Sequence, residues 1–180
     1  MLQMIQRDKK IDASRYKTLD KKILYLTSLE TSQKRYVTQV TRKIVEKEQK
    51  KQLENRLAEV FTRQDDSQEI CEIQFAAKKG GPLAFAAVGY ADVIKNKTVY
   101  ELKFVSQLSH EHYLQCACYM VARKLKRGVL WNTRTNEMYE ISIPDRNKFL
   151  DCVAKTVTKH QIDKYYKPKG GTTWQSDLQL

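Results

Sequence analysis

The stretch from Gly89 to Phe104 restricts the fold more than any other. Gly89-Tyr90-Ala91-Asp92-Val93-Ile94 and Thr98-Val99-Tyr100-Glu101-Leu102-Lys103-Phe104 are rich in β-branched and aromatic residues and meet at Lys95-Asn96-Lys97. That is the pattern of two strands joined by a tight turn. A two-residue loop at Asn96-Lys97 pairs Lys95 with Thr98 and, counted back along the ladder, sets Asp92 opposite Glu101. Directly opposed side chains have Cβ atoms about 5 Å apart, and two like charges there destabilise a sheet unless positive charge lies between them. A divalent cation meets that need, and oxygen ligands suit hard ions such as Mg²⁺ or Mn²⁺. Lys103 lies two residues beyond Glu101 and shares its face, because strand side chains alternate.

The rest of the chain sets the frame. Its 180 residues, 41% of them hydrophobic, suffice for one domain with a single core. No apolar run reaches the roughly 20 residues that cross a bilayer. Met1 to Ile5 passes straight into Arg7-Asp8-Lys9-Lys10, with no signal-peptide core. A soluble, intracellular protein with no membrane partner is therefore expected. The formal charge of +12 favours a polyanionic partner, since each neutralised phosphate releases condensed counterions. Residues 1–56 carry 15 Lys and Arg against 7 Asp and Glu, whereas residues 57–180 carry 18 against 14. A basic arm thus precedes a more balanced core. Cys71, Cys116, Cys118 and Cys152 are too scattered for a disulfide scaffold. Cys116 and Cys118 fall about 200° apart around a helix, so the spacing speaks against an iron-sulfur cluster, and four buried thiols are expected.

Taken in order, Leu19, Ile23, Leu26 and Leu29 make a partial helical stripe, and residues 1–45 read as a basic helical arm. No Gly or Pro interrupts 31–63, where Val37, Val40 and Ile44, then Leu53, Leu57, Val60 and Phe61, recur at helical spacing. Cys71, Ile73 and Phe75 alternate with polar neighbours as a half-buried strand. Lys78-Lys79-Gly80-Gly81-Pro82 turns the chain into the apolar run Leu83 to Val88. Gly89 suits a bulge or a close backbone approach beside the acids. After Lys103, Ser106 or Ser109 caps a helix expected to run to about Arg127 and to stop at Gly128. Gln115 and Tyr119, four apart, share one face of it, with His112 a turn earlier. Strands at 129–132 and 138–143 and a helix opened by Pro144-Asp145 follow, then a loose tail from 167 to 180. The expected fold is α/β (α+β), a mixed central sheet flanked by helices over residues 46–166.

The order D-x8-E-x-K, from Asp92 through Glu101 to Lys103, followed by Q-x3-Y at Gln115 and Tyr119, resembles the PD-(D/E)XK nuclease superfamily in its RecB-like and lambda-exonuclease-like branch. The resemblance covers about residues 50–160 and implies a restriction-endonuclease-like core. Ala91 stands where the superfamily's name has proline. The resemblance implies metal-dependent hydrolysis of phosphodiester bonds. Asp92, Glu101 and the Leu102 carbonyl then bind one or two Mg²⁺ or Mn²⁺ ions, Lys103 orients the nucleophile, and Gln115 and Tyr119 position the lysine or the substrate strand. A further acid from the preceding helix is expected, with Glu54 and Glu59 as candidates and Glu54, which shares a face with Leu57, Ala58 and Phe61, the choice. Lys78, Lys79, His112, Arg123 and Lys124 are the candidate nucleic-acid contacts. DNA is the expected substrate, cut by an exonuclease or a processing nuclease of replication, recombination or repair. Such a domain also fits inside a larger helicase or polymerase. An RNA endonuclease of the cap-snatching type and an inactive nucleic-acid-binding module are the alternatives.

Overall fold

A computed structural model describes residues 4–11, 47–62 and 64–170. The expected stripe from Leu19 to Leu29 and the final residues of the tail lie outside them. Nine elements follow one another: β1 (Gln6–Ile11), α1 (Lys47–Leu57), β2 (Asp66–Ala76), β3 (Leu83–Lys95), β4 (Thr98–Lys103), α2 (His110–Ala122), β5 (Arg127–Asn132), β6 (Glu137–Ser142) and α3 (Arg146–Val157). Five strands between 66 and 142 form a mixed sheet, and β1 adds a sixth at its edge, in the order β1-β6-β5-β4-β3-β2. Only β4 and β5 run parallel, joined by the crossover through α2; the other neighbours are antiparallel. The α/β class expected from the sequence is the observed one. Gln6–Ile11, expected within a helical arm, is instead a strand along β6, with a register shift between Arg7 and Lys9.

The β3–β4 turn follows from two backbone conformations. Asn96 and Lys97 both have positive φ, 48° and 58°, as a type I′ turn demands. The register is accordingly Lys95 with Thr98, Ile94 with Val99 and Val93 with Tyr100. The ladder stops there, one pair short of Asp92 and Glu101. β4 leaves β3 at this point and pairs along its whole length with β5.

Helices cover both faces of the sheet, so each strand's period of two sorts its side chains between two cores. On one face Leu57, Ala58 and Phe61, at and just beyond the end of α1, pack on Val93, Leu102, Val129, Trp131 and Met138. The Phe61 ring meets Tyr100 edge-on at 5.0 Å. On the other face Cys116 and Met120 of α2 meet Cys71, Ala91, Val99 and Leu130. Ala117 and Val121 of α2 join Ile73, Phe75 and the α3 residues Phe149, Leu150 and Val153. Asp145 caps α3 by accepting from the Lys148 amide at 2.9 Å. The second helix ends at Ala122, earlier than expected, because Lys124 turns the chain with φ 57°. Gly128 is therefore no helix stop but lies in β5. A Cβ there would sit 2.5 Å from the Met120 sulfur and 2.9 Å from that of Cys116, so glycine lets α2 lie close against the sheet.

Candidate active site

Asp92 stands where β3 and β4 part. Ala87 and Ala91 pack toward α2, whereas Val93 packs toward α1, so the alternation of β3 slips at Asp92. On the facing strand Ser67 pairs with Val93 and Glu69 with Ala91, and between them Gln68 has φ 54°. The slip turns the Asp92 carboxylate inward. Its Oδ2 accepts from the Leu102 amide at 2.7 Å and its Oδ1 from Gln68 Nε2 at 3.4 Å. The carboxylate thus takes the place of a ladder bond where the strands diverge.

Glu101 and Lys103 lie on the face of β4 turned to α2. Glu101 is 1% exposed and Asp92 3%. Lys103 Nζ donates to Glu101 Oε1 at 2.5 Å and to Gln115 Oε1 at 2.9 Å. Gln115 Nε2 in turn donates to the Tyr119 hydroxyl at 2.8 Å. Gln115 and Tyr119 lie one turn apart on α2, so a single helix face delivers Gln115 to the lysine and Tyr119 to Gln115. Tyr119 can lie over β3 only because position 89 lacks a side chain. A Cβ on Gly89 would be 2.8 Å from both the ring edge and the hydroxyl. That is the close approach expected at Gly89. Burial pushes the Tyr119 phenol up to about 12, so it stays a hydroxyl.

The charge here does not balance. Burial, then the charge of Glu101, raises the Asp92 carboxyl well above its ordinary range. Burial raises Glu101 as well, against the opposing pull of Lys103. Glu101 Oε2 is buried with no hydrogen-bond partner, a state that costs about 1–3 kcal/mol and more for a charged group. Two buried carboxylates share one ammonium and leave an oxygen unsatisfied. The donor set is all oxygen, which fits a hard divalent cation. Among the described residues no group of three or more His, Cys, Asp and Glu side chains gathers to hold a metal. Glu54, on α1 and half-buried, therefore does not complete a third carboxylate beside Asp92 and Glu101.

The remaining candidates scatter. His112 Nδ1 accepts from the Ser109 amide at 3.0 Å at the start of α2, and burial, then Lys103, lowers its pKa. Arg123 pairs with Glu69 at 3.0 Å and reaches the Ile70 carbonyl at 3.3 Å. Lys124 is exposed at the turn after α2. Lys78 and Lys79 are exposed at the β2–β3 turn. Nine residues of β3 separate Leu83 from Asp92, roughly 30 Å at about 3.3 Å per residue, so these two lysines are not beside the acids. The four cysteines are free, and burial pushes the Cys71 and Cys118 thiols up to about 11.

Four residues about the site carried no sequence signal strong enough to find them. Gln68 holds Asp92. Asn132 and Thr133, both buried, bind the backbone on either side of Phe104. Arg56 of α1 donates to the Thr133 and Arg134 carbonyls at 2.7 and 2.8 Å. Asn132 and Thr133 follow an apolar strand at its carboxyl end, a common place for functional residues in α/β sheets.

Residues 68–142 match a family model of the PD-(D/E)XK nuclease superfamily. That span runs from within β2 to the end of β6 and includes every residue of the acid and lysine cluster. The match points to a nuclease, hence to a nucleic-acid substrate, and members of this superfamily typically use divalent metal ions. The mixed sheet with its flanking helices is consistent with a restriction-endonuclease-like fold. No curated protein and no solved structure matches the chain. No helix among the described residues is long and apolar enough to cross a membrane.

Proposed function

We propose that this chain is a Mg²⁺- or Mn²⁺-dependent deoxyribonuclease of the RecB-like and lambda-exonuclease-like branch, acting as an exonuclease or processing nuclease in replication, recombination or repair. The unpartnered, fully buried Oε2 of Glu101, next to a second buried carboxylate, carries the reading. An ion-pair network built only for stability would not leave such an oxygen beside an excess acid.

In this reading the Asp92 and Glu101 carboxylates and the Leu102 carbonyl hold the ion. Such an ion would supply an acidified water and positive charge to offset the negative charge growing on the phosphate. Asp92 keeps its place through the Leu102 amide and Gln68. Lys103 engages two of its three N–H donors with Glu101 and Gln115, and the third holds the attacking water. Gln115 accepts from Lys103 and donates to Tyr119, which ties the rotation of its amide to the lysine. That linkage supports a role for the Q-x3-Y pair in setting the lysine. His112 and Lys124 serve as substrate contacts, and the overall charge of +12 draws the polyanion in.

Calorimetry with Mn²⁺, wild type against Asp92→Ala, tests the site: wild type binds and the variant does not. Incubation of end-labelled linear DNA, circular DNA and RNA with and without Mn²⁺ tests the substrate. Cutting of linear DNA alone supports an exonuclease. Exclusive cutting of RNA overturns the DNA assignment, and a wild type that binds no metal overturns the hydrolase.

A further inference from the structure

The carboxyl end of β4 is held in an unusual way. Beyond Lys103 regular pairing ceases, yet the Lys103 carbonyl and both backbone groups of Val105 are engaged by Thr133 and Asn132 at the neighbouring strand's end. The Lys103 carbonyl accepts twice from Thr133, from its amide at 2.7 Å and its hydroxyl at 3.0 Å. The Asn132 carboxamide meets Val105 as a strand would, accepting from its N–H at 3.4 Å and donating to its carbonyl at 2.9 Å. Its oxygen also accepts from the Arg134 amide at 3.2 Å, which fixes the amide's orientation. Arg56 closes the assembly from α1 by donating to the Thr133 and Arg134 carbonyls. Asn132 is 0% exposed and Thr133 3%. Polar side chains rarely occupy such positions unless a specific geometry requires them.

From this geometry we infer that Asn132 and Thr133 are positioning residues for Lys103: they clamp the backbone at and just after the lysine and thereby set its ammonium against Glu101 and the attacking water. The inference rests on the hydrolase reading given above. The side chains of Asn132 and Thr133 bond to Val105, Arg134 and Lys103 and not to Asp92, Glu101 or Leu102, so they hold none of the three metal-binding oxygens directly. A catalytic group displaced by about 1 Å can lose on the order of a hundredfold in rate while binding is untouched. The clamp therefore acts on the chemical step and leaves metal and substrate affinity alone.

The test compares Thr133→Val, which is nearly isosteric and keeps the amide, with Thr133→Ser, which keeps both donors, and adds Asn132→Leu. Turnover of end-labelled linear DNA, KM, Mn²⁺ affinity by calorimetry and the melting temperature are read for each. Thr133→Val is expected to lower kcat about tenfold, with KM and Mn²⁺ affinity within about twofold of wild type. Thr133→Ser should return to within about twofold of wild-type kcat. Asn132→Leu should lower kcat further; should it fail to fold, the threonine pair decides alone. An unchanged kcat in Thr133→Val, or a loss that Thr133→Ser does not restore, overturns the inference. So does a loss that tracks Mn²⁺ affinity or melting temperature. A wild type inactive on DNA and RNA overturns the hydrolase reading itself, which is a distinguishable result.

Discussion

Two lysines end the two strands of one hairpin, and their surroundings could hardly differ more. Lys95, at the end of β3, donates to Asp65 Oδ2 at 2.9 Å and to the Val60 carbonyl at 2.6 Å. One cation meets one anion and one neutral acceptor, and Asp65 is satisfied further by the Thr62 amide at 2.6 Å. This pair fastens the end of the α1 segment to the sheet. Lys103, at the end of β4, faces two buried carboxylates, one of which keeps an oxygen with no partner. The same residue type on the same supersecondary unit thus closes a balanced tie in one place and leaves an anionic deficit in the other. Balance marks a structural pair. Surplus buried acid, retained despite its cost, is the feature on which the proposed metal site rests.

Removing the surplus should break the difference most sharply. Glu101→Gln and Asp92→Asn should each reduce DNA cleavage by about a thousandfold or more, about 4 kcal/mol of barrier, with unchanged circular dichroism. Retention of activity in either would reduce the Lys103 site to a second structural tie. The next effect is on stability and its pH dependence. Both carboxyls titrate above their ordinary range in the folded protein, so the folded chain binds more protons than the unfolded chain once pH passes that range. Stability is then lost as pH rises through the raised values. Metal-free wild type should accordingly melt lower at about pH 8 than at about pH 5, with a shallower dependence in Asp92→Asn. Saturating Mn²⁺, at about 100 times its Kd, should restore about 2.7 kcal/mol to wild type at the higher pH and nothing to the variant.

Gly89→Ala probes the Lys103 site without touching a charge. The added methyl has to displace the Tyr119 ring, at a cost of about 1–3 kcal/mol. Cleavage should fall about tenfold as the Gln115 bond to Tyr119 is lost, checked by thermal melting and kinetics together. An unchanged kcat would remove Tyr119 from the site. The smallest effect belongs to the balanced pair. Lys95→Met should lower stability by about 1–3 kcal/mol, since Asp65 and the Val60 carbonyl lose their charged donor. Activity should stay within about twofold in the same melting and cleavage assays; a large loss would erase the contrast between the lysines.

Much of the site could be read in advance because it is local. The two-residue turn sets the first three facing pairs, and a period of two then places Glu101 and Lys103 on one face of β4. Local pattern is silent where distant segments decide. The ladder stops before Asp92 because β4 is drawn away by β5, a partner far along the chain. Arg123, a candidate phosphate contact by its place at the end of α2, has Glu69 beside it, from a strand more than fifty residues earlier. Lys78 and Lys79 sit at the far end of a long hairpin whose reach the turn residues alone do not disclose. Gly128 carries the common mark of a helix end, but in the fold it makes room for two sulfur atoms.

What the sequence determined by itself was therefore the hairpin turn, the register of its first three pairs and the shared face of Glu101 and Lys103, because turn conformation and strand alternation act over a few residues. What the tertiary structure alone decided was how that group is held. The parallel seating of β5 brings Thr133 to the lysine's carbonyl and Asn132 to Val105 just beyond it, and the crossover of α2 brings Gln115, bonded in turn to Tyr119, to its side chain. Those contacts join residues distant in the chain, and only the packing of helix on sheet brings them within hydrogen-bond range.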